Sequence, residues 1–195
     1  MTDFSGDVFR PGFSLAYTVV MKRFPDIERD PRILERIERL AKADGFNRRD
    51  AFAFAMAYGA ACASEFDGPR VGAVISYAGS IVGVGTNKMK SDPAQHVFDL
   101  RWRKFNNVDV CGSFPQNMGA VHAEVSAWKN VPYTVAESMN RKRAKVYIYR
   151  IAPGLEHGQG LARPCPACAH YLAEMGLRRV YYSTEYGFAS ETLDI

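Results

Sequence analysis

Four side chains at fixed spacing carry the chemistry open to this sequence. His122 and Glu124 stand in His122-Ala123-Glu124, and Cys165 and Cys168 in Pro164-Cys165-Pro166-Ala167-Cys168. One imidazole and two thiolates suit zinc, which takes nitrogen and sulfur ligands tetrahedrally; three protein ligands leave the fourth position to water, as a catalytic site requires. Zinc makes such a water a nucleophile at neutral pH, so the chemistry is hydrolysis. Glu124, two residues beyond His122, points elsewhere than to the same metal vertex and is the candidate proton carrier rather than a fourth ligand. Taken singly, a C-x-x-C pair also fits a redox or structural role, and an H-x-E arises by chance. The combination points to a catalytic metal, and a zinc kept only for stability has no need of Glu124.

The elements that must position these groups follow from punctuation and periodicity. Asp30 can cap a helix with Pro31 at its first position; Ile33, Leu34, Ile37, Leu40 and Ala41 share one face, and Gly45 stops it. Asn47 caps a second helix, Asp50 its third residue, that runs to Ala61 with almost no polar face and so predicts burial between other elements. Gly68-Pro69 then breaks the chain. Val71–Tyr77 and Ile81–Thr86, joined by Ala78-Gly79, read as a β-hairpin, with both strands expected to be central. Residues 88–118 are too long for an ordinary loop and predict a short helix around Phe98 to Phe105.

A helix over 121–129 is expected to open on His122 and end at Asn130 and Pro132, followed by a short helix near 134–143 and a strand at 145–150. A glycine-rich loop, 151–163, delivers Cys165 and Cys168 to the first turn of the next helix, where the positive helix terminus favours thiolates. Gly176 caps that helix and 178–183 returns as a strand. Strands alternating with helices in this half imply a parallel pair. The predicted fold is α/β, a three-layer α/β/α sandwich with a mixed sheet. An N-terminal arm and amphipathic helix (1–46) would pack on a single globular unit (47–195).

Composition bounds the answer without choosing it. With 195 residues, 47% hydrophobic and 24% charged, the chain is one globular domain long enough for a substantial core. Its net charge of +4 would suit a phosphorylated or nucleic-acid partner but does not demand one. No apolar run reaches the roughly 18–20 residues of a membrane span, and acidic Asp3 and Asp7 argue against a secretory signal. With Cys165 and Cys168 used as thiolates, a reducing, cytoplasmic setting is expected.

An H-x-E followed by P-C-x-x-C is the zinc deaminase signature. Over roughly residues 48–184 the chain resembles the cytidine and deoxycytidylate deaminase superfamily. The run Pro164-Cys165-Pro166-Ala167-Cys168-Ala169 through Gly176 and Val180-Tyr181-Tyr182 is most similar to its deoxycytidylate and phage-type branch. The resemblance implies a cytidine deaminase-like fold, one catalytic Zn2+ held by His122, Cys165 and Cys168, and Glu124 as the catalytic acid and base. It further implies that Asn87, in Gly83-Val84-Gly85-Thr86-Asn87, contacts substrate sugar or base, and that the Ala123 backbone N–H holds the pyrimidine carbonyl. Where many relatives carry threonine-leucine-glutamate before the proline, this chain has Tyr149-Arg150-Ile151 and the glycine-rich loop, so the pocket wall differs.

The implied reaction is hydrolysis of a cytosine moiety to uracil and ammonia on a free nucleotide or nucleoside such as dCMP, in a homo-oligomeric enzyme. An alternative is deamination of cytosine in single-stranded DNA or RNA, for which the basic stretches Arg101-Trp102-Arg103-Lys104-Phe105 and Arg141-Lys142-Arg143-Ala144-Lys145 would supply contacts. The same stretches also read as wet faces and ends of helices. A third reading is a zinc-bearing binding or structural protein without turnover. His96 and Cys111 would make a second zinc site only with an acidic neighbour, at a separation that is no metal spacing. Cys62 reads as a small core residue, and His157 and His170 as surface histidines.

Overall fold

The structure, a computed structural model, describes residues 31–66, 68–106, 120–152 and 158–194. The expected N-terminal arm, the Asp30 cap, Cys111 and His157 lie outside them. Helices α1 (Pro31–Ala43) and α2 (Arg48–Cys62) lead into β1 (Arg70–Tyr77), β2 (Ser80–Thr86) and β3 (Lys88–Ser91). Then come α3 (Pro93–Asn106), β4 (Ala120–Val121), α4 (Ala123–Lys129) and α5 (Tyr133–Ser138), a 3-10 turn at Arg141–Arg143, and β5 (Lys145–Ile151). The chain ends with β6 (Gln159–Gly160), α6 (Pro166–Glu174), β7 (Arg179–Ser183) and β8 (Phe188–Thr192).

The main sheet runs β2-β1-β5-β7-β8, with β6 paired to β5. It is mixed: β5 and β7 are parallel, joined through α6, and the remaining pairs are antiparallel. Helices cover both faces. Ile37, Ala41 and the α2 residues Phe54, Met56 and Ala60 join Val74, Tyr147, Tyr149, Tyr181 and Phe188 in one core. Val125 and Ala127 of α4 and Cys168 and Leu172 of α6 join Ala73, Ile75, Val146, Ile148 and Val180 in the other. Alternate residues of β1 and β5 therefore serve opposite cores, the period-2 geometry of a sheet buried on both sides. Among the described residues no helix is long and apolar enough to cross a membrane.

Local chemistry explains the boundaries. The Asn47 carboxamide accepts from the N–H groups of Arg49 at 2.8 Å and Asp50 at 3.1 Å, while the Asp50 carboxylate accepts from the Asn47 N–H at 3.3 Å, a complete capping box. The second Asp50 oxygen accepts from Lys145 Nζ at 2.7 Å and Tyr147 Oη at 2.5 Å, so the helix start is bolted to β5. Burial alone would push this carboxyl up. The bonds from Lys145 and Tyr147, the Lys145 charge and the Asn47 N–H together hold it below the usual carboxylate range. Ala78 and Gly79 both adopt positive φ, as a tight turn matched to strand twist requires.

Three expectations need correction. Among the described residues strand β2 lies at the edge of the sheet and is not central. Its small residues signal a close helix instead: a Cβ at Gly85 would sit 2.1 Å from Ala127 N, and one at Gly83 2.5 Å from Ala127 O, because α4 lies against the strand. The helix in the long connection starts at Pro93, well before Phe98. Asp92 caps it, accepting from Ala94 N–H at 2.9 Å, so the Asp-Pro pair is a helix start. The helix near 134–143 stops at Ser138 and resumes only as a 3-10 turn.

Candidate metal centre

His122 ends the short ladder of β4 with β3, in which Val121 pairs with Lys88. That pairing keeps the chain extended through His122 (φ −80°, ψ 153°), which is therefore the N-cap of α4 rather than a residue of its first turn. On the other side, Ser183 Oγ donates to the Gly160 carbonyl at 2.8 Å and Ala162 N–H to the Ser183 carbonyl at 2.8 Å. These bonds seat the returning loop on β7 and deliver Cys165 as the N-cap of α6, with Pro166 first in the helix and Cys168 third.

The two helix starts converge. His122 Nδ1 lies 3.2 Å from Cys168 Sγ and 3.5 Å from Cys165 Sγ, and the three ligand atoms all fall within 4.8 Å of one another. Zn–S and Zn–N distances of about 2.3 and 2.05 Å at a tetrahedral angle put nitrogen and sulfur about 3.6 Å apart. The observed separations are within a few tenths of that. Neither cysteine is in a disulfide; Cys168 is fully buried and Cys165 partly so. The donor set and its spacing fit a zinc ion, which is the cofactor of this site.

Glu124, second in α4, is 6% exposed, and its carboxyl makes no hydrogen bond or ion pair among the described residues. Its oxygens are not among the buried atoms left without a partner, so the carboxylate of this largely buried side chain reaches open space, where it can serve a bound molecule. Ala123 opens α4 and is buried; no side chain caps that helix start. Asn87 is held from within. Its Oδ1 accepts from Val71 N–H at 2.8 Å and Ser64 Oγ at 2.7 Å, and its Nδ2 donates to the Pro69 carbonyl at 2.9 Å, leaving one amide proton.

A pair of polar residues escapes a reading of the sequence. Gln95 on α3 is completely buried and Asp99, one turn on, is 5% exposed. Gln95 Nε2 donates to Asp99 Oδ1 at 2.8 Å, and its Oε1 accepts from the backbone N–H of His122 at 3.3 Å. In sequence an i,i+4 polar pair on a helix looks like a solvated face, so nothing but the tertiary position of α3 gives it away.

The remaining candidates disperse. Arg141 donates to the Ala136 and Met175 carbonyls and stacks on Trp128, and Lys145 bonds Asp50. Two of the four cations of that basic run thus hold the fold together. Arg101 pairs with Glu174 at 3.4 Å. His96 is exposed, and no metal cluster includes it among the described residues. Cys62 is half-buried at the end of α2.

A family model described as the cytidine and deoxycytidylate deaminase zinc-binding region matches residues 47–184. A cytidine deaminase from Burkholderia pseudomallei aligns with a TM-score of 0.46 at 13% identity, over 73% of this chain and 91% of that one. A dCMP deaminase from the cyanophage S-TIM5, in apo form, aligns with a TM-score of 0.32 at 19% identity, over 80% and 85% of the two chains. No curated protein matches in sequence.

Proposed function

Because this chain belongs to the cytidine and deoxycytidylate deaminases, we propose that it hydrolyses the 4-amino group of a cytosine moiety on a free nucleotide or nucleoside, with dCMP the favoured substrate. The observation that carries the reading is Glu124, a largely buried side chain whose carboxyl has no protein partner among the described residues, two residues beyond His122 on the helix that starts at the His122, Cys165 and Cys168 cluster. His122 Nδ1 and the two thiolates would hold the zinc. When bound, zinc supplies a water acidic enough to react near neutral pH. Glu124 would take a proton from the attacking water and deliver it to ring N3 of the cytosine while the water oxygen bonds to C4.

Glu124 then accepts the remaining water proton and returns it to the departing amine as the C4–N bond breaks. Cytosine and water become uracil and ammonia, and the carboxylate is regenerated. A carboxyl with no competing partner can turn to each atom in sequence. The Ala123 N–H at the start of α4 and the remaining Asn87 amide proton are donors for the base carbonyl and the sugar. Burial of Ala123 keeps water from competing for that donor.

Zinc-replete protein incubated with dCMP, dCTP, cytidine, deoxycytidine, adenine and guanine compounds and a cytosine-containing single strand tests the reading, with ammonia release and product mass followed together. Conversion of dCMP to dUMP is expected. Conversion confined to the oligonucleotide, or to purines, would overturn it.

A further inference from the structure

We propose that Gln95 is a positioning residue for His122, and that Asp99 sets the polarity that makes it one. Helix α3 packs on α6, and its cap residue is tied to the far end of α4. At its start Asp92 caps α3 and pairs with Lys129, the last residue of α4. Further on, Phe98 packs its ring against Tyr171 of α6 at 4.9 Å, edge to face, and Arg101 reaches Glu174 at the end of α6. Gln95 faces inward between these attachments, sealed from solvent, and meets the chain at His122 itself.

The orientation of a carboxamide is set by its neighbours. Asp99 as a carboxylate only accepts, so it takes Gln95 Nε2–H and turns Oε1 toward His122. The His122 N–H has no helical acceptor, because His122 precedes the first residue of α4. Gln95 supplies the missing acceptor at the residue whose ring faces Cys165 and Cys168. The ring of His122 hangs from that backbone, so holding the N–H limits where its Cα, and with it Nδ1, can sit against the two sulfurs. Asp99 therefore reaches the metal site through two hydrogen bonds without touching it. The role rests on His122 as a metal ligand and is indifferent to which base is deaminated.

The zinc-loaded full chain and two variants test this. Gln95→Glu sets a carboxylate against the Asp99 carboxylate and removes the donor that orients the pair. Zinc affinity, measured by competition with a chromophoric chelator, should weaken by about 10- to 100-fold, the usual effect of losing an outer-shell partner. The His122 amide should exchange with deuterium faster, and kcat should fall with little change in KM. Gln95→Glu combined with Asp99→Asn restores the polarity, since the introduced carboxamide donates and the introduced carboxylate accepts on both sides. That double variant should return to within about threefold of the unmodified zinc affinity, as expected for strongly coupled neighbours.

Unchanged zinc affinity in a folded Gln95→Glu, or a double variant no better than the single, would overturn the proposal. Should Gln95→Glu fail to fold, the double variant and the unmodified protein decide. A His122 amide that exchanges in the unmodified protein as fast as an exposed one would also overturn it. Zinc content of the unmodified protein reports separately on the metal reading.

Discussion

Replacing Gly85 by alanine should cost this protein its metal site, whereas the same change at Gly72 should cost stability and leave zinc affinity in place. A Cβ at Gly85 would lie 2.1 Å from Ala127 N and 2.5 Å from Ala123 O, both backbone atoms of α4. Carbon approaches such atoms no closer than about 3.3 Å, so helix and strand must separate by roughly 1 Å. Overpacking of this kind costs about 1–3 kcal/mol and, for a chain of this length, lowers Tm by about 2–12 °C. Helix α4 carries His122 and Glu124 at its start, and a displacement of that size at a reacting centre costs about 100-fold in rate.

Gly72 is the matched control. A Cβ there would lie 2.2 Å from Ala57 O and 2.3 Å from Ala61 N, so the strain falls on α2, across the sheet from every candidate ligand. Both variants should melt earlier, and Gly85→Ala alone should lose zinc affinity and kcat/KM at a temperature where it remains folded. The assays are calorimetry, chelator competition and ammonia release on the same preparations. A folded Gly85→Ala with unaltered kcat/KM, or a Gly72→Ala that loses as much, would show that the packing of α4 on β2 does not govern the site.

Two further outcomes follow from described contacts. Glu124→Gln should keep its zinc and lose about 100- to 10,000-fold in kcat, the range expected for a positioned proton carrier; metal analysis beside kinetics checks it, and residual activity near the unmodified level would remove Glu124 from the mechanism. Asp50→Asn should destabilise the fold at neutral pH by about 1–3 kcal/mol, because Lys145 and Tyr147 lose an ionised partner. The Asp50 carboxyl is held low in the fold, so its contribution is complete above the unfolded value of about 3.9 and fades as pH falls through the folded one. Urea unfolding from pH 7 to pH 3 should therefore show the two proteins converging below about pH 4.

What could be read in the residues divides along physical lines. The Asn47 and Asp50 capping box, the Ala78-Gly79 turn and the thiols at the start of a helix are local, set by a few neighbouring residues, and each is where the spacing puts it. Features that depend on distant partners were not legible. Strand β8 has a single buried residue, Phe188, and is held by pairing with β7 and by Asp44, whose carboxylate accepts from the Phe188 N–H at 2.7 Å. Strands β3 and β4 are too short to have a period. Gly83 and Gly85 read as central-strand residues because in sequence a gap made for a helix cannot be told from simple smallness.

Strand β2 leaves one edge of the sheet without a strand partner among the described residues, and α4 supplies its guard. Asn130, which ends that helix, donates Nδ2–H to the Val84 carbonyl at 2.7 Å. Alongside lies a hollow of about 350 Å³ walled by Val84, Thr86, Ser126 and Asn130 and flanked by the charges of Glu65 and Lys88. An exposed strand invites another chain to continue its ladder, the first step toward aggregation. Here one acceptor on that edge, the Val84 carbonyl, is already taken, and a newcomer that pairs there would have to strip Asn130 from it. The helix that presents the ligand histidine at one end thus occupies the edge of the sheet at the other.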